Sequence, residues 1–119
     1  MRDNKRAERV ETINKLIEKV ASCGRNFFLK RNGICRFELI NGKPRYIDTY
    51  NNETIYPYGE RDGKFNGGST LWELIKEFRA FIIDGEQLEY SGLYVPYWGY
   101  PQEDMNLIRE FAKNIGYLK

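Results

Sequence analysis

The sequence predicts an α+β fold: an N-terminal helix, a four-stranded antiparallel meander, and two C-terminal helices packed on one face of the sheet. Three observations predict it. Apolar residues recur at helical spacing between Val10 and Val20. Asn-containing turn pairs at nine- and ten-residue intervals divide the next stretch into short runs. Two further apolar stripes follow Gly68 and Pro101.

In the first helix Val10, Ile13, Ile17 and Val20 form the stripe with Leu16 beside them. Glu11 stands four residues before Lys15 as a favourable helical pair, and Gly24 stops the helix near Ser22. Asn32-Gly33, Asn41-Gly42 and Asn51-Asn52 mark turns, because these residues tolerate the left-handed backbone that two-residue hairpins need. With two-residue turns throughout, Phe28, Phe37 and Tyr46 form one cross-strand row, and Cys35 and Leu39 share their face, the expected core face. The other face carries the rows Leu29, Arg36, Ile47, Tyr56 and Phe27, Glu38, Arg45, with Arg31 and Ile34 near the turn and Glu38 opposed to Arg45 as an ion pair. The second helix has a capping box from Thr70 to Glu73, a stripe of Leu71, Leu74, Ile75, Phe78 and Ile82, and a closing Gly85. The third has Pro101 in its first turn and Met105, Ile108, Phe111, Ala112 and Ile115 before Gly116.

A chain of 119 residues, 41% hydrophobic, is expected to form one domain over residues 1–119, with residues 1–9 as a basic end that frays or projects unless something acidic receives it. Cys23 and Cys35 lack the paired spacing of a zinc site and read as small buried side chains in a reducing compartment. There is no run of about 18 apolar residues to span a membrane, and the N-terminus is charged where a signal peptide is apolar. The expectation is a soluble cytoplasmic protein with no membrane contact.

The chain contains no histidine, which excludes Ser-His-Asp and Cys-His nucleophile systems, imidazole acid–base catalysis and His-ligated metals. The carboxylates Asp48, Glu53, Glu60, Asp62, Glu103 and Asp104 read as turn residues or as negative charge at a helix N-terminus rather than as a cation site. The run "GKFNGGSTLW" could hold an anion at a helix N-terminus, but Lys64 lies six residues before Thr70, the wrong order for a phosphate-binding loop. No catalytic residue, metal site or cofactor is assigned, and the chain is expected not to be an enzyme.

Two surfaces remain for a partner. Residues 1–45 carry 12 Lys and Arg against 5 Asp and Glu, whereas residues 46–119 carry 7 against 12. The N-terminal half is therefore basic, which favours an acidic protein or nucleoprotein partner. Arg2, Lys5, Arg6 and Arg9 extend the stripe of the first helix as cations, at the end where the helix dipole opposes them. With Arg31, Arg36, Arg45 and Tyr56 on the outward sheet face they make the candidate partner-binding set, and the stacking-plus-cation character of that face leaves single-stranded nucleic acid as an alternative ligand. A secondary aromatic surface comprises Trp72, Lys76, Arg79, Tyr97 and Trp98, either packed beneath residues 88–101 or exposed with them.

The run "CGRNFFLKRNGICRFELINGKPRYIDTYNNETIYPYG", followed by "FNGGSTLWELIKEFRAFIIDG", resembles small uncharacterised proteins of phages and prophages over residues 22–85. The resemblance implies an infected bacterial cytoplasm, where small phage α+β proteins often inhibit host machinery, including restriction and CRISPR enzymes. The expected function is thus a non-enzymatic binding module, an inhibitor of a host nucleic-acid-processing or defence complex. Direct single-stranded nucleic-acid binding is the alternative, and a small enzyme the third reading.

Overall fold

Asn41 and Gly42 have φ of 55° and 78°, the pair of left-handed residues a type I′ turn needs. They join β3 (Arg36–Ile40) to β4 (Lys43–Asp48), paired Ile40↔Lys43 through Arg36↔Ile47. This computed structural model describes residues 2–23, 28–30, 33–48, 53–55, 69–85, 87, 93 and 101–119, with backbone alone at 2–4, 29–30, 48, 53–55 and 69–73. Its other elements are α1 (Arg2–Ser22), β1 (Leu29–Lys30), β2 (Gly33–Ile34), β5 (Glu53–Ile55), α2 (Ser69–Asp84) and α3 (Gln102–Asn114). The fold is α+β, and residues 33–48 are strand and turn throughout except for Cys35.

The single four-stranded meander is replaced, among the described residues, by a two-stranded ribbon β1–β2 and a three-stranded sheet β3–β4–β5. The division falls at Cys35, whose N–H donates to the Phe28 carbonyl at 3.0 Å. Two turns also differ from the two-residue Asn pairs. Gly33 pairs with Lys30, where a turn at Asn32-Gly33 would leave it unpaired, and Glu53 pairs with Asp48, where a turn at Asn51-Asn52 would pair it with residue 50. Phe28 consequently lies opposite Cys35 rather than Phe37. Both shifts move a partner by two positions, and because side chains alternate with period two the faces survive.

The core face therefore holds as read. Phe28, Cys35, Phe37 and Tyr46 are buried and Leu39 packs against them. α1 contributes Val10, Ile13, Leu16, Ile17 and Val20, α2 contributes Leu74, Ile75, Phe78, Phe81 and Ile82, and α3 contributes Met105, Ile108 and Ala112. At about 1.5–3 kcal/mol for each large side chain taken out of water, this common core is the main favourable term. Phe78 sits at its centre, with ring centroids 6.2 Å from Phe28, 6.3 Å from Phe37 and 5.3 Å from Tyr117.

The helices do not all lie on the sheet. α1 packs against β3 and α2 against β4, while α3 joins the fold chiefly through α1. The two C-terminal helices also begin differently from the sequence reading. α2 begins at Ser69, which puts Thr70 inside the first turn rather than at the cap, and Pro101 is the N-cap of α3 instead of a first-turn residue. After α3 the chain turns at Gly116 (φ 91°), and the Tyr117 and Leu118 amides donate to the Ala112 carbonyl. That turn buries Tyr117 against Phe78 and Phe81, with its hydroxyl 3.1 Å from Glu77 Oε1.

Candidate binding surface

The basic end of α1 is helical from Arg2 onward, and two of its arginines are employed inside the fold. Arg9 Nη1 donates to the carbonyls of Ile82 and Ile83, at 3.2 and 3.1 Å, where α2 ends. The carbonyls of a helix C-terminus are partly negative and lack intrahelical partners, so the end of α2 receives the Arg9 cation. Gly85 follows with φ 72°, and a Cβ there would meet the Arg9 guanidinium. Arg6 Nη1 donates to the Gly42 carbonyl at 2.8 Å and ties α1 to the β3–β4 turn. These bonds hold Arg6 and Arg9 to the fold. Lys5 stays exposed, and the Arg2 side chain lies outside the described residues.

Farther along α1, the Asn14 carboxamide closes the edge of β3. Its Nδ2 donates to the Phe37 carbonyl at 3.0 Å, and its Oδ1 accepts from the Phe37 N–H at 2.7 Å. Phe37's main-chain groups turn away from β4, so the side chain replaces a neighbouring strand. With Arg6 at Gly42 and Asn14 at Phe37, α1 runs antiparallel to β3 and covers its outer edge.

The helices leave one face of the sheet uncovered by any described element. On it stand Ile34, Arg36, Glu38 and Ile40 along β2 and β3, and Lys43, Arg45 and Ile47 along β4, with Ile40 opposite Lys43 and Glu38 opposite Arg45. Ile34 and Ile40 are 38% and 39% exposed, Arg36 and Lys43 are exposed, and Glu38 and Arg45 are half-buried. The opposition of Glu38 and Arg45 is as expected in register, but the Glu38 carboxylate bonds to Arg36 of its own strand, Nε to Oε2 at 2.7 Å and Nη2 to Oε2 at 2.6 Å. Ile47 departs from the outward reading in another way, for it is 8% exposed. It occupies the central strand of the three, with Arg36 and Thr54 as cross-strand neighbours.

Of the remaining candidates, Arg31, Tyr56, Tyr97 and Trp98 lie outside the described residues, as does the Trp72 side chain; Lys76 is exposed and Arg79 half-buried on α2. Glu103 and Asp104 occupy the first turn of α3. Among the described residues no group of three or more His, Cys, Asp or Glu side chains comes together to hold a metal. No helix among them is long and apolar enough to cross a membrane. Neither cysteine is in a disulfide; Cys35 is buried, and Cys23 is half-buried at the end of α1. Burial pushes the Cys23 thiol up, the Asp104 carboxylate adds to the rise, and Lys19 offsets part of it.

The YoqU family model matches residues 3–119, nearly the whole chain. The chain belongs to the YoqU family. It is 32% identical over 123 aligned positions to the SPbeta prophage-derived uncharacterized protein YoqU of Bacillus subtilis (strain 168), with all of this chain and 89% of that protein covered. The resemblance to prophage proteins is therefore established, and it extends well beyond residues 22–85. No solved structure matches the fold.

Proposed function

We propose that this prophage-family protein is a non-enzymatic binding module that engages a host protein, in the manner of an inhibitor of a nucleic-acid-processing or defence complex. One observation carries the reading: the sheet face turned away from the helices presents two exposed isoleucines, Ile34 and Ile40, with the exposed Arg36 between them and Lys43 and Arg45 beside them. Arginine is enriched at protein contact sites, and the buried centre of such sites is more apolar than their rim. Basic residues steer an acidic partner and set the rate of encounter more than the final affinity. A polypeptide without histidine also has fewer routes to acid–base chemistry near neutral pH.

Direct binding of single-stranded nucleic acid is the second reading, and the same cations favour it. Such sites combine cations with aromatic platforms on which bases stack, and the exposed large hydrophobic residues among those described are aliphatic.

The test is capture from Bacillus subtilis extract on immobilised protein, with and without nuclease, beside the Arg36→Glu variant. Nuclease-resistant capture of a discrete protein that weakens with Arg36→Glu supports the inhibitor-type module. Capture abolished by nuclease and by added salt identifies the nucleic-acid reading. No specific capture by the wild-type protein refutes both.

A further inference from the structure

We propose that the outward row of β3 joins a second copy of this chain in an antiparallel, two-fold pair, with Ile34 of one copy against Ile40 of the other and Arg36 against Glu38. This goes beyond the binding-module reading and needs no host partner.

The open part of the sheet face is narrow. Along β4 the outward Ile47 is buried and Arg45 is half-buried, so neither takes part. Along the line of β3, Ile34, Arg36 and Ile40 are exposed, and the Glu38 side chain keeps 44% of its surface open. Burial goes on alternating through Cys35, which keeps Ile34 in the row although β2 and β3 are separate strands. The strip is one strand wide and about 20 Å long at about 3.4 Å per residue.

The order of its side chains selects the occupant. Ile34 and Ile40 each stand three positions from Phe37, and Arg36 and Glu38 each stand one. Read backwards, the row runs apolar, acid, base, apolar, which is the complement of the row itself. A two-fold axis that lies between two such sheets and crosses the line of β3 at Phe37 makes this reversal, the self-matching that an isologous contact requires. Each isoleucine then meets an isoleucine and each charge its opposite. A parallel arrangement would set Arg36 on Arg36 and Glu38 on Glu38, which like-charge repulsion disfavours. Because Arg36 and Glu38 cancel, the row calls for neither an acidic nor a basic foreign surface.

The ion pair within each copy is compatible with the contact. Arg36 Nε and Nη2 both bond to Glu38 Oε2, which leaves Arg36 Nη1 and Glu38 Oε1 for the other copy and closes a ring of alternating charge. Lys43, exposed beside Ile40, falls at opposite ends of the paired strips and does not meet itself. A strip this narrow buries less than the about 1,200 Å² of a standard interface. The dimer is therefore weak, with a Kd on the order of 10–100 µM.

Sedimentation equilibrium of the purified chain, at concentrations from well below to well above that Kd, should show reversible monomer and dimer. Arg36→Glu alone, or Glu38→Arg alone, should weaken the dimer at least about tenfold while the chain stays folded in a melting experiment. An equimolar mixture of these two variants should dimerise again. So should the double variant, Arg36→Glu with Glu38→Arg, which keeps every pair and only exchanges its sides. For the register, Ile34→Cys and Ile40→Cys are made in a Cys23→Ser background, Cys35 being buried, and treated with a short bis-maleimide. Cross-links should form in the mixture of the two and in neither alone. A monomer at every concentration overturns the inference, as does a dimer that the single charge variants leave intact or that the double variant fails to restore. Cross-linking of Ile40→Cys to itself overturns the antiparallel arrangement. Each of these failures leaves the binding-module reading to its own capture test.

Discussion

Replacing Asn14 with alanine removes both hydrogen bonds that join α1 to the main chain of Phe37, at 3.0 and 2.7 Å. The helix backbone still covers the strand edge, so the freed N–H and C=O regain water only in part. A fully buried unsatisfied group costs about 1–3 kcal/mol, and for a half-buried clamp the low end applies, giving about 2–3 kcal/mol for the two. Alanine is the better helix former by about 0.5–0.7 kcal/mol, which offsets part of this. The expected net loss is about 1.5–2.5 kcal/mol, a substantial share of a domain stability of about 5–15 kcal/mol. Urea denaturation followed by circular dichroism should show a lower midpoint with an unchanged slope. In a thermal melt the loss should read as a fall of roughly 5–12 °C. Asn14→Asp keeps the acceptor for the Phe37 amide but turns a carboxylate oxygen toward the Phe37 carbonyl, so it should not rescue. Glu11→Ala, on the exposed face of the same helix, should stay within about 0.5 kcal/mol of wild type. If Asn14→Ala is equally neutral, the clamp contributes nothing and the reasoning is refuted.

The same logic gives three further outcomes. Arg9→Glu removes the bonds to Ile82 and Ile83 and sets an anion against a helix C-terminus. It should cost about 2–3 kcal/mol in a melting experiment, whereas Lys5→Glu, on an exposed side chain, should leave the melt nearly unchanged; equal behaviour of the two would sink the α2 receiver. Gly85→Ala forces a Cβ into a left-handed residue and against the Arg9 guanidinium, so a loss of at least about 1–2 kcal/mol is expected, and smaller in an Arg9→Ala background because the two share one contact. Additive losses would contradict that contact. Because burial and then Asp104 raise the Cys23 thiol, folding favours its protonated form: that contribution is complete below the unfolded thiol pKa of about 8.5 and is lost as pH rises through the higher folded value. Alkylation of Cys23 near pH 8.5, followed by peptide mass, should be slower in the folded protein than in urea and faster after Asp104→Asn; a rate equal to that in urea would be the contrary result.

What was legible in the sequence is what adjacent residues decide. The apolar spacing from Val10 to Val20 placed α1 and its buried face, and the Leu74, Ile75, Phe78 and Ile82 stripe did the same for α2, because helical periodicity needs no partner to be recognised. Asn41-Gly42 set the β3–β4 register, since only two residues with positive φ close that turn. Around the other two Asn pairs several loop lengths keep the same faces inward, so Phe28, Phe37 and Tyr46 were found in the core although two of the three turns were mislocated. The outward exposure of Arg36 followed from the same alternation. Ile47 did not: the alternation groups it with the outward residues, yet it is buried, and the pattern of one strand does not say what lies over its face.

By itself, then, the sequence determined the α+β class, the three helices, the core faces, the absence of histidine and the resemblance to prophage proteins, all readable from local pattern and composition. Only the tertiary structure decided what the polar residues of α1 do. Asn14 meets Phe37 across 23 positions, Arg6 meets Gly42 across 36, and Arg9 meets Ile82 across 73. In the sequence the arginines look like surplus charge at the wrong end of a helix. Once α2 lays its C-terminal carbonyls beside that end, the electrostatic penalty becomes a bond, because a cation's energy is set by the groups that surround it in space and not by its neighbours in the chain.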